Sequence, residues 1–582
     1  MMSGPPISLS ALVPELILLV TGCVVLLLGQ GSDRWRRLAP WATLVSLAVA
    51  ICGVLLEPRL TESWSSRRSG SGLSLGSLSL FVRISALELG ILLTLVNWSV
   101  ARVTERGEFL AMMLFSLTGL LLVGPADNLL ILFLALELVS VPTYIMVVLS
   151  RSHMNSLEAG TKYFYLGALS AAIMAYGFSF LYGVSGTASL SGTLDAVAVA
   201  LRQPGTLMGG LATVGVVLSL GGLLFKIAAV PLHFYIADVY QGAASPVAGL
   251  LGFVPKLAGV VAIFKIVLLT GHWGGGSEPV FWLLWIVAAV TMCVGNVLAL
   301  RQTNIKRMLG YSGIAHSGYM LVGVLAGPLA GEAVHSGGVG ILGDGTAAVL
   351  YYVVVYGIAN LGAFAVLGLL RARGEVCETL RDVAGLCRRH LGLALLLALM
   401  MFTLMGLPPT PGFWGKLSLF SSALAAARVP PITGGDTALI VLVIIAVLNS
   451  ALAAAYYLRV IAAVLIYENE YPAYATAREA QSIGALLCGF MLLIFTFYPS
   501  ILLSAGQDAT VELGDQLRFV SVESNPPDLS QQAEDQPRLT QPAEAIADVD
   551  VVDPRLTTAD GAEPPSVTHQ NGRSLDPLGL AP

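Results

Sequence analysis

Apolar runs of about 20 residues follow one another along most of the chain, parted by short polar or glycine-rich stretches. That is the length an α-helix needs to cross the hydrocarbon core of a bilayer. The pattern predicts an all-α polytopic membrane protein with fourteen transmembrane helices. They fall at about 9–30, 36–56, 80–100, 108–125, 127–149, 157–184, 207–230, 244–270, 279–300, 304–326, 346–370, 390–424, 436–466 and 480–504. The first run is long enough to span and has no basic stretch before it, so it reads as a helix and not as a cleavable signal.

Two runs are interrupted. The seventh continues as GGLLFKIAAVPLHFYIADVYQGAASP, with Pro231 just after Lys226. The twelfth contains LMGLPPTPGFWGKLSLF, with Pro408, Pro409 and Pro411 ahead of Lys416. Proline removes a backbone donor and breaks or kinks a helix. Unwound backbone at membrane depth survives only where protein or water satisfies it. The breaks lie five spans apart, as expected for an internal repeat with ion sites near the breaks. Spans four to eight (108–270) and nine to thirteen (279–466) would be the two five-helix units. An odd number of spans makes them inverted. Residues 1–107 supply three preceding helices and 480–504 the last one.

Composition supports this reading and adds a tail. Of 582 residues, 56% are hydrophobic and only 12% charged, against about 25% in a soluble domain. The net charge of −5 is uneven. Residues 507–582 hold 14 acidic and 4 basic side chains and nine prolines, and read as an acidic, disordered extension. With the N-terminus outside, the inner loops hold 16 basic residues, among them Arg34, Arg151, Arg307 and Arg381, and the outer loops five. The positive-inside rule then puts both termini outside. The six scattered cysteines have no metal-ligand spacing and read as small apolar fillers.

The candidate chemistry lies in charges within apolar runs. A charge near the bilayer centre costs roughly 2.5–3.5 kcal/mol on insertion scales, so such residues are rare. Lys162, Lys226, Lys256, Lys265 and Lys416 all occupy predicted spans, as do Glu137 and His233. Glu137, mid-span, is expected to pair with Lys162 on the next helix. Glu158, one turn before Lys162, is the competing partner. Lys226 and Lys416 flank the two breaks, Lys256 lies deep in span eight, and His233 titrates near neutrality unperturbed. Lys265 reads as a snorkelling residue. His316 divides evenly between relay and structural roles. Arg83 and Glu88 are expected at an interface, at the start of span three.

Together these residues suggest a proton relay. A carboxylate beside a lysine favours the charged form, and separating the pair favours release. Moving one proton against 100 mV costs about 2.3 kcal/mol. No phosphate-binding glycine loop, flavin or nicotinamide fingerprint, or iron–sulfur cysteine cluster offers a source for that energy.

Five stretches carry a family resemblance: LALELVSVPTYIMV, SLEAGTKYFYLGALSAAIMAYG, LLFKIAAVPLHFYIADVYQGAASPV, NIKRMLGYSGIAHSGYMLVG and GLPPTPGFWGKLSLF. Across about 108–466 the chain resembles the antiporter-like membrane subunits of respiratory complex I, nearest their subunit N branch. The resemblance implies a proton-translocating, non-redox subunit of an NADH:quinone oxidoreductase in a bacterial inner membrane. It assigns Glu137 and Lys162 as a coupling pair, Lys226, His233 and Lys256 as the central relay, and Lys416 as the outer-half site. NADH, FMN, iron–sulfur clusters and quinone would belong to partner subunits, with no cofactor or metal in this chain and no nucleic acid. A cation/proton antiporter subunit without redox chemistry, or a ferredoxin-fed relative of complex I, is the alternative.

Overall fold

The structure is a computed structural model. It describes residues 12–60, 73–98, 105–151, 154–270, 278–328, 343–372, 374–428, 434–469 and 473–524. The acidic, proline-rich tail from residue 525 onward lies outside the described residues.

The described chain is almost entirely helical. In order the helices are α1 (Val13–Gln30), α2 (Asp33–Leu60), α3 (Ser77–Asn97), α4 (Arg106–Val123), α5 (Leu129–Leu149), α6 (Met154–Ser185), α7 (Leu190–Leu201), α8 (Leu207–Lys226), α9 (Ile236–Gly242) and α10 (Ser245–Leu268). They continue as α11 (Glu278–Leu300), α12 (Ile305–Ala326), α13 (Gly345–Leu369), α14 (Leu386–Arg389), α15 (Leu391–Met405), α16 (Pro411–Ala426), α17 (Gly435–Leu465), α18 (Glu479–Phe497) and α19 (Pro499–Ser524). Among the described residues, twelve helices are long and apolar enough to cross a membrane. The expected spans ten and twelve correspond to α12, which is less apolar, and to the two shorter helices α15 and α16.

Both expected interruptions are present. Helix α8 stops at Lys226, and Ala228 takes a left-handed backbone with φ +57° before Pro231. Helix α15 stops at Met405, and Gly406 takes the same region with φ +81° before the Pro408–Pro409 pair. A left-handed residue just past the last turn is a common helix terminator. The Gly406 N–H bonds back to Phe402 and Thr403, and the Ala228 N–H to Phe225.

Helices α10 and α13 are buried along their whole membrane length and form the centre of the bundle. They cross where small residues permit close approach. An added Cβ on Gly249 would lie 3.2 Å from the Leu361 Cα, and one on Gly357 would run into the Phe253 ring. Small residues let membrane helices gain dispersion contacts that lipid would otherwise supply.

A three-stranded antiparallel sheet, in the order β2–β1–β3, gathers helix ends on one face. It comprises β1 (Leu370–Ala372), β2 (Glu375–Val376) and β3 (Tyr474–Ala475). Arg151, beyond α5, and Lys306, opening α12, meet Glu378 beside it at 3.0 and 3.4 Å. The bridges Leu73–Ala126 and Asn128–Ser189 join other helix ends.

Three expectations change. The last expected helix ends at Phe497, and a new one, α19, runs from Pro499 to Ser524, into the stretch expected to be disordered. Pro499 fits the first turn of a helix. Leu502, Leu503 and Ala509 are buried, and the Thr510 hydroxyl donates to Asp344 at 2.9 Å. Arg83 is not interfacial but buried, 2.6 Å from Glu15 of α1. Lys265 does not snorkel: it is buried, and its ammonium donates to the Gly124 and Ala126 carbonyls at the end of α4.

Candidate functional site: a buried lysine chain

Glu137 lies near the middle of α5, and the structure pairs it with Lys226, not Lys162. The Lys226 ammonium, on the last residue of α8, donates to Glu137 Oε1 at 2.7 Å and to the Ser140 hydroxyl at 2.6 Å. Glu137 and Ser140 are three residues apart, so both face α8 from one side of α5. The lysine side chain is 3% exposed and the carboxylate 21%.

Lys162 is placed elsewhere. It is 44% exposed and pairs with Glu158 at 2.8 Å and Asp238 at 2.9 Å. Asp238 belongs to α9, just beyond the break, and also receives Arg307 of α12 at 2.8 Å. Lys162, Asp238, Phe234 and Tyr235 line an open cleft. His233 is buried beside it, with Nδ1 3.2 Å from the Pro231 carbonyl.

Lys256 of α10 meets the break from the other side. Its ammonium donates to the Ile227 carbonyl at 3.1 Å, to the Gly313 carbonyl at 2.7 Å and to the Ser317 hydroxyl. Ile227 directly follows Lys226, so Lys256 holds the backbone of the break next to the residue that binds Glu137. Ser317 also donates to the Ile227 carbonyl. The backbone freed by the break is therefore satisfied by protein, as its depth requires.

Beyond Lys256 the polar path continues through aromatic residues. The Tyr356 ring centre lies 5.6 Å from the Lys256 ammonium and 4.7 Å from the His316 ring. His316 is hydrogen-bonded at both nitrogens, to Tyr352 at 2.6 Å and Tyr457 at 2.9 Å. Lys416 of α16 donates to the Met405 carbonyl at 2.8 Å and the Ser450 hydroxyl at 2.9 Å, and stands 5.0 Å from the centre of the Tyr319 ring. Each break thus presents a carbonyl to a buried lysine: Ile227 to Lys256, and Met405 to Lys416.

Ser140, Asp238, Arg307, Ser317 and the tyrosines 319, 352, 356 and 457 do not stand out in the sequence. Ser140 carries a faint signal, one turn from Glu137, and Asp238 another, as an acid within the broken segment. The tyrosines are spread over α12, α13 and α17, and only the fold brings them together. Among the described residues, no group of acidic, histidine or cysteine side chains is arranged to hold a metal ion.

Known proteins share this architecture. The family described as NADH:quinone oxidoreductase/Mrp antiporter, TM, matches residues 126–432, which include both breaks and Lys226, Lys256 and Lys416. NADH-quinone oxidoreductase subunit N of Trichlorobacter lovleyi is 35% identical over 521 residues, covering 86% of this chain and 97% of the relative. The chain belongs to the subunit N family of the antiporter-like membrane subunits of complex I. Subunit N of Granulibacter bethesdensis is also 35% identical, over 84% of this chain and 97% of the relative. A chain of respiratory complex I from Thermus thermophilus superposes with a TM-score of 0.66 at 29% identity, covering 85% of this chain and 99% of that one. A chain of the Mrp complex from Dietzia shares the fold, with a TM-score of 0.70 at 18% identity, 88% and 99% covered. The subunit N family is one of multi-pass membrane proteins within an oxidoreductase complex.

Proposed function

We propose that this chain translocates protons as a non-redox subunit of an NADH:quinone oxidoreductase. The path runs from Glu137 and Lys226 through Lys256 and His316 to Lys416. Lys162 and His233 serve its mouth, at the cleft beside α9. NADH, flavin, iron–sulfur clusters and quinone belong to partner subunits. The observation that supports this reading most is the Ile227 carbonyl, because it ties the ammonium of Lys256 to the residue that follows Lys226, whose own ammonium holds Glu137. An ion pair favours the charged forms of both partners, and parting it favours proton release. Displacing the Glu137 carboxylate would thus send the Lys226 proton toward Lys256 through the unwound segment.

The same reading gives fourteen spans, two inverted five-helix units at 108–270 and 279–466, and both termini on the outer side of a bacterial inner membrane. The arginines around the sheet, among them Arg151, Arg371 and Arg478, favour that face as the inner one.

The test uses the whole complex in sealed vesicles, with Lys256→Ala in this subunit. NADH-driven quinone reduction and vesicle acidification should fall together. NADH oxidation by a soluble acceptor that bypasses the membrane arm should stay at the parental rate. Parental acidification by the variant would overturn the proposed path.

A further inference from the structure

In the interior of the membrane helices, charged side chains are met from within the chain: Glu137 by Lys226, and Lys256 and Lys416 by carbonyls and hydroxyls. Glu88 is the exception. It is the twelfth of 21 residues in α3, at mid-membrane depth, and its side chain is exposed. Among the described residues, no side chain or backbone group bonds to its carboxylate. A carboxyl at that depth facing hydrocarbon is costly, and polar groups inside membranes face protein or water.

Glu88 lies on a partly exposed strip of α3. Leu80, Ile84, Glu88 and Ile91 recur at three- and four-residue spacing and are the partly or fully exposed positions of α3 in this region, so they form one narrow stripe. Helix α2 flanks the stripe on one side, where Trp41 meets Trp98 just past α3 at 5.1 Å. Helix α18 flanks the other, with Gly484 against Val96. Between the two flanking helices the stripe is apolar except for a single acid, Glu88.

We propose that this stripe seats a transmembrane helix of another subunit, one that presents a lysine or arginine at the depth of Glu88. Charge complementarity selects the occupant. A purely apolar helix or a lipid chain would leave the carboxylate without a partner, whereas a basic side chain on the seated helix finds its own counterion there. The inference rests on the chain working within a multi-subunit complex. It concerns assembly and not the proton path, so its test reads contacts and complex yield, separately from pumping.

A photo-crosslinking phenylalanine analogue is placed at Ile84 or Ile91 in the complete complex, and native membranes are illuminated before solubilisation. Both positions should crosslink to one membrane segment of another subunit, with a lysine or arginine within a turn of the adduct. Adducts to lipid alone, or to a segment lacking a basic residue there, would overturn the proposal. Glu88→Lys should lower the yield of intact complex by about tenfold. Exchanging the partner's basic residue for glutamate should restore it. Glu88→Leu inserts at least as easily as the parent and separates a seated acid from a lipid-facing one. It should also lower the yield, because it leaves the partner's cation unpaired, whereas a lipid-facing Glu88 predicts an equal or higher yield. Parental yield for both Glu88 variants would equally refute the seat.

Discussion

Glu137 and Lys226 form a 2.7 Å ion pair between the middle of α5 and the last residue of α8, across 89 residues of sequence. The pair ties the carboxylate to the point where the seventh span unwinds, so movement of either partner acts directly on the break.

This pairing ranks two lysines that look equal in the sequence. Lys226→Ala leaves a partly buried carboxylate without its cation and should lower quinone-linked turnover by tenfold or more (order of magnitude). Lys162→Ala removes an exposed pair worth about 0–1 kcal/mol and should cost less than about fivefold. Glu137→Gln should match Lys226→Ala, and Glu137→Asp should be milder. Turnover and acidification of purified, fully assembled complexes decide the ranking. An equal loss for Lys162→Ala would return Lys162 to the coupling pair.

What the sequence showed and what it concealed follow from the range of each interaction. The breaks were legible because proline acts on its own helix. Lys226 and Lys416 stood out because a lysine within an apolar run is costly at membrane depth and rarely kept without a role. The partner of Glu137 was not legible, because it depends on depth and helix rotation. Glu137 lies twelve residues from the α5 end at Leu149, and Lys162 only eight from the α6 start at Met154. At 1.5 Å per residue that is an offset of about 6 Å, enough to bring Lys162 to Glu158 and Asp238 instead. The tyrosine cluster around His316 was hidden for a related reason. Its members come from three helices, and each alone is an ordinary apolar-face residue.

The left-handed positions at the two breaks give opposite expectations. Ala228 holds φ +57°, where a side chain costs about 1–2 kcal/mol relative to glycine. Ala228→Gly should therefore leave thermal stability unchanged or slightly higher. Gly406 holds φ +81°, and a Cβ there would lie 2.9 Å from the Lys416 Cδ. Gly406→Ala should lower the melting temperature of the purified complex and reduce pumping as well, because it pushes Lys416 away from the Met405 carbonyl. Unchanged pumping in Gly406→Ala would separate the position of Lys416 from function.

At the sheet face, partial burial alone would raise the Glu378 carboxyl, but Lys306 and Arg151 beside it more than offset that and hold it below its ordinary range. An acid whose folded pKa is depressed stabilises the folded state above its unfolded pKa, about 4.3, and loses that contribution as pH falls through the folded value. Glu378→Gln should thus lower the melting temperature near neutrality, and the gap from the parent should close below about pH 4. A gap that persists unchanged in acid would mean that Glu378 acts through shape and hydrogen bonding and not through its charge.

Lys416 is where an anchor and a proton carrier make different demands. Its ammonium donates to the Met405 carbonyl and the Ser450 hydroxyl, beside the Tyr319 ring. As an anchor it needs only a permanent donor to that carbonyl, and an arginine with its several N–H groups would serve. As a carrier it must lose its proton in every cycle. Arginine does not, because its pKa stays above about 12. Lys416→Arg should then impair acidification about as much as Lys416→Ala, in complexes that assemble normally and still oxidise NADH with a soluble acceptor. The guanidinium is also larger than the ammonium, so melting temperature is read alongside to detect any loss of packing. A carrier role predicts pumping lost with stability retained in the arginine variant. Near-parental acidification by Lys416→Arg would take Lys416 out of the proton path and leave it the clamp on the second break.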